Sequence, residues 1–79
     1  MSIRTDADFY VEHAEGLARD LDIADLTDEH AIQLKVEEIT DYISHELGFT
    51  NISSNAERKI MDAACDAFIR IVEHRRSAA

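Results

Sequence analysis

Apolar residues recur along this chain at helical rather than strand spacing. Tyr10, Ala14, Leu17 and Leu21 stand at i, i+4, i+7 and i+11, which gathers them within about 60° of one another on a helical wheel. Ile32, Val36, Ile39, Ile43 and Leu47 make a second stripe of the same kind. A third set, Ile60, Met61, Ala64, Cys65, Ala67, Phe68, Ile71 and Val72, spreads over an arc of about 160°. A helix with so wide an apolar face touches two neighbours at once. The pattern predicts an all-α fold, a single three-helix bundle with helices over about residues 6–22, 28–47 and 55–75. The third helix is expected at the centre of the bundle or at a dimer seam.

With no proline and only two glycines, the boundaries must come from caps. Thr5 is the expected cap of the first helix, with Asp6 and Asp8 in its first turn, where the helix dipole favours acids. The segment Asp22 to Thr27 breaks the period, and Thr27 is expected to cap the second helix. Gly48 is expected to stop that helix in the left-handed conformation, with Phe49 as the hydrophobic residue of a Schellman cap. Ser54-Asn-Ala-Glu57 reads as a capping box opening the third helix.

Charge changes the picture more than length does. The 79 residues carry 17 acidic and 8 basic side chains, a net charge of −9, which excludes direct binding of nucleic acid through a basic face. The sequence holds no apolar run of the roughly 18 residues a bilayer span requires, and Met1 to Asp6 resembles neither a signal nor a transit peptide. A soluble, intracellular protein of the cytoplasm is expected. The single cysteine, Cys65, forms no internal disulfide and reads as a buried structural thiol. Domains below about 80 residues often need a metal, a staple or a second copy, so a homodimer is the alternative way to complete the core.

The acidity is uneven. Residues 1 to 30 hold nine acids against two bases, residues 31 to 55 four against one, and residues 56 to 79 four against five. Asp8, Glu12 and Glu15 share one face of the first helix. Glu37, Glu38 and Asp41 lie opposite the isoleucine stripe of the second. Such faces draw a basic partner surface, by an attraction that speeds encounter and weakens with salt. They also suit a plain solvated surface, and nine Asp and eight Glu against two Lys also fit a high-salt cytoplasm. Phe9, Leu34 and Ile69 are apolar residues off the core stripes. Phe9 and Leu34 are candidate partner anchors, and Ile69 a dimer or bundle contact.

Support for catalysis is confined to one arrangement. Glu12-His-Ala-Glu15 and Glu38-Ile-Thr-Asp41 place two carboxylates at i, i+3 on each of two helices. This resembles the metal-binding signature of the MazG-type all-α nucleoside triphosphate pyrophosphohydrolases. The resemblance implies Glu12, Glu15, Glu38 and Asp41 as ligands of Mg²⁺, whose hard oxygen preference they match. In size, charge and lack of a catalytic set the chain is similar to small acidic phage inhibitors of the anti-CRISPR type and to nuclease-immunity proteins. That likeness implies a non-enzymatic inhibitor without cofactor that blocks a basic, nucleic-acid-binding surface of another protein by charge mimicry. A homo-oligomeric structural or regulatory module is the alternative.

Overall fold

The computed structural model describes residues 7 to 78, and these fold into four helices, α1 (Ala7–Asp20), α2 (Ile23–Leu26), α3 (Glu29–Leu47) and α4 (Ser54–Ala78). The expected cap at Thr5, and Asp6 beside it, lie outside the described residues. None of the four helices is long and apolar enough to cross a membrane.

Helix α4 is the spine. It packs along α1 most extensively and along α3 on another side, as its wide apolar arc predicts, and buries Ile60, Ala64, Ala67, Phe68 and Val72. From α1 the core receives Tyr10, Ala14 and Ala18, and from α3 Ile32, Ile39, Ile43 and Leu47. Leu21 and Leu26 close it at one end. Ile69 is half-buried against this core, so its apolar surface is partly spent on bundle packing.

The connection between α1 and α3 departs from expectation. The break at Asp22 to Thr27 contains a helical turn, α2, in which the Asp25 and Leu26 amides donate to the Asp22 carbonyl at 3.0 and 3.2 Å. The turn drives Leu26 into the core, at 2 % exposure, and leaves Ile23 outside at 73 %. Thr27 therefore ends α2 instead of capping α3, its hydroxyl donating to the Ala24 carbonyl at 3.2 Å. Asp28 is the cap of α3, accepting from the His30 and Ala31 amides at 3.0 and 3.3 Å.

Two further caps differ. Gly48 is right-handed, at φ −62° and ψ −19°, so the left-handed stop is corrected. The chain instead tightens into successive turns, with the Phe49 amide on the Glu46 carbonyl at 3.3 Å and the Thr50 amide on the Leu47 carbonyl at 3.0 Å. The Thr50 hydroxyl also donates to Leu47 O at 2.7 Å. These bonds satisfy the orphan carbonyls at the helix end without a positive φ. Phe49 stays 69 % exposed and does not pack back as a Schellman residue would. At α4 the cap is Ser53, whose Oγ accepts from the Ala56 amide at 3.2 Å. That shifts the frame by one residue, puts Ala56 where a capping box wants Glu or Gln, and leaves the Ser54–Glu57 box unformed.

Candidate partner-binding surface

Because Tyr10, Ala14 and Ala18 turn α1 inward, Asp8, Glu12 and Arg19 point to solvent and Glu15 is half-buried. On α3 the stripe from Ile32 to Leu47 does the same for Glu37, Glu38 and Asp41, all exposed. Leu34 stands among them at 51 % exposure. Glu38 has a local counter-ion, its Oε2 accepting from Lys35 Nζ at 2.9 Å. An exposed i, i+3 pair of this kind contributes a few tenths of a kcal/mol.

Phe9 is half-buried against the core. Its ring meets that of Tyr10 edge-on, centroids 5.0 Å apart. Much of it is thus engaged within the fold, and Leu34 is the better exposed of the two candidate anchors.

Between the two acidic helices lies an aromatic seam that sequence reasoning missed. The backbones of α1 and α3 stay apart, and rings bridge the space. Tyr42 tilts against Tyr10 at 6.1 Å and against His13 at 4.6 Å, the latter with the ring planes 35° apart. Glu12 and Asp41, chain neighbours of His13 and Tyr42, are exposed beside it. Their separation along the chain leaves no local signal for this pairing. Phe49 was also missed as a surface residue. Its ring meets His45 edge-on at 5.2 Å, at the far end of α3 from Ile23, another exposed apolar residue.

The i, i+3 carboxylates Glu12 with Glu15 and Glu38 with Asp41 stand on two different helices. Among the described residues, no group of three or more His, Cys, Asp or Glu side chains is placed to hold a metal ion. Cys65 is half-buried and lines an open groove of about 660 Å³ between α3 and α4, beside Thr40, Arg58 and Met61. Burial first, then the nearby Asp62 and Asp66 carboxylates, pushes its thiol above the usual range. The thiolate that would act as a nucleophile is therefore disfavoured at neutral pH. No family model matches the chain, and no curated protein or solved structure matches it either.

Proposed function

We propose that this chain is a small acidic binding protein that engages a basic, nucleic-acid-binding surface of a partner protein and blocks it. The observation that carries this reading is the exposure of Asp8 and Glu12 on α1 and of Glu37, Glu38 and Asp41 on α3, with Leu34 half exposed among the latter. Helices hold these carboxylates on rows that climb about 4.5 to 6 Å per step, a spacing that suits pairing with several Arg or Lys side chains at once. Long-range attraction sets the rate of encounter, and apolar contact at Leu34 slows departure. In this reading the three long helices act as one rigid bundle, with α2 as its corner.

The test is retention of partner proteins from host lysate by the tagged chain, compared with the double variant Glu37→Lys, Asp41→Lys and with Leu34→Ala. A basic partner should be held at low salt, released at high salt, and lost in the charge-reversed variant. Leu34→Ala should shorten the lifetime of the complex without slowing its formation. Retention indifferent to both salt and charge reversal would sink the reading. Recovery of nothing but a second copy of the chain would replace it with a self-associating module.

A further inference from the structure

The last turn of α4 reaches back over the connection between α1 and α3. Arg75 Nη1 donates to the Ala18 carbonyl at 2.7 Å, an acceptor in the last turn of α1 that has no partner within its own helix. Arg76 Nε donates to the carbonyl of Leu26, the last residue of α2. Arg76 Nη2 is buried, 2.8 Å from Glu29 Oε1, in an ion pair that is not aligned as a hydrogen bond. Two adjacent arginines thus hold the C-terminal ends of two helices and the first residue of a third. Cations belong at such helix ends, where the dipole is negative.

Apart from its packing on α3, the segment they hold has little else to keep it in place. Residues 20 to 29 contain Asp20, Asp22, Asp25, Asp28 and Glu29 and no lysine or arginine. Asp20, Asp22 and Asp25 crowd a small groove of about 190 Å³ together with Leu17, Leu21 and Lys35. Helix α2 is a single turn of four residues, far below the length at which a helix is stable alone. The apolar holds of the whole segment on the core are Leu21 and Leu26, buried on either side of exposed Ile23.

We infer that residues 21 to 28 are a latched strap: when Arg75 and Arg76 release it, the corner opens as a local unit while α1, α3 and α4 stay folded. Opening would uncover Leu21 and Leu26 beside Ile23 and give an acid-ringed apolar surface that the closed form hides. Because Glu29 is 82 % exposed in its side chain, the ion pair is open to screening, and salt should loosen the strap.

Amide hydrogen exchange of the full chain tests this through the Asp25, Leu26 and Asp28 amides, which are hydrogen-bonded only within the corner. In Arg76→Gln their protection should fall roughly ten- to hundredfold, the loss of hydrogen bonds to a charged group. Amides in the middle of α1 and α4 should change by less than about twofold, as sub-global opening requires. An equal rise in all helices, or no change at the corner, would overturn the proposal. Glu29→Gln leaves α4 intact and serves if Arg76→Gln does not fold. It should raise corner exchange a few fold, and added salt should do the same to the natural chain but not to this variant. A corner whose protection ignores salt in the natural chain would equally refute the latch.

Discussion

Helix α1 meets its two neighbours by opposite means. Along α4 the backbones come close, and beyond Tyr10 the residues that α1 encloses there are small: Ala14 and Ala18 are both at 0 % exposure. Toward α3 the backbones stand apart and the rings of Tyr10, His13 and Tyr42 cross the interval. Small side chains let helix axes approach, whereas rings keep a wider spacing and carry the contact on a few large groups. The first seam should be intolerant of added volume, the second of lost ring surface. This difference also places the acidic faces, since a wide aromatic seam separates the carboxylates of α1 from those of α3.

The largest effect should come from crowding the close seam. Ala14→Leu adds volume where nothing is exposed and should destabilise the chain by about 1–3 kcal/mol. In a thermal melt that is a fall of about 4–8 °C for each kcal/mol at this size. A neutral outcome would mean that α1 and α4 can separate without cost, and the contrast between the seams would disappear. Next comes the ring seam. Tyr42→Leu keeps an apolar side chain but removes both ring contacts, and should cost about 1 kcal/mol by denaturant unfolding. A double-mutant cycle with His13→Ala isolates the His13 share, and additive losses would show that the two rings do not support each other. The smallest effect sharpens the comparison from a position in neither seam. Gly16 lies in the middle of α1, and a Cβ built there meets nothing within 4 Å. Gly16→Ala should therefore raise stability by about 0.5–1 kcal/mol, the helix-propensity difference.

Which parts of this were legible follows from where the information sits. Stripes are local and strong. Ile32, Ile39, Ile43 and Leu47 are buried as their period requires, Val36 of the same stripe and Leu17 of the first are half-buried, and the wide arc of α4 matches its packing against both α1 and α3. Ala18 escaped notice because alanine suits either face of a helix, yet it is wholly enclosed. The caps slipped because Thr27 stands next to Asp28 and Ser53 next to Ser54, and each of the four can cap a helix. Tertiary packing made the choice: the turn that buries Leu26 takes Thr27 for its own end. The ring seam and the arginine latch join residues far apart in the chain, so no window on the sequence contains them. At the acidic surface the carboxylates could be placed on outer faces, whereas the partial burial of Phe9 depends on Tyr10 beside it and on the core beneath.

Helix α1 takes most of its packing from α4, and the two stand at opposite ends of the described chain. Synthesis runs from the N-terminus, so α1 and its alanine stripe have no close neighbour until residues 54 to 78 have been made. Contacts so distant in sequence form late, and α3 alone can offer the waiting helix little beyond Tyr42. Helix α1 is therefore the part left longest without a docking face, and it stands in a stretch, residues 1 to 30, that holds nine acids and two bases. Their charge repels other unfinished copies throughout that interval.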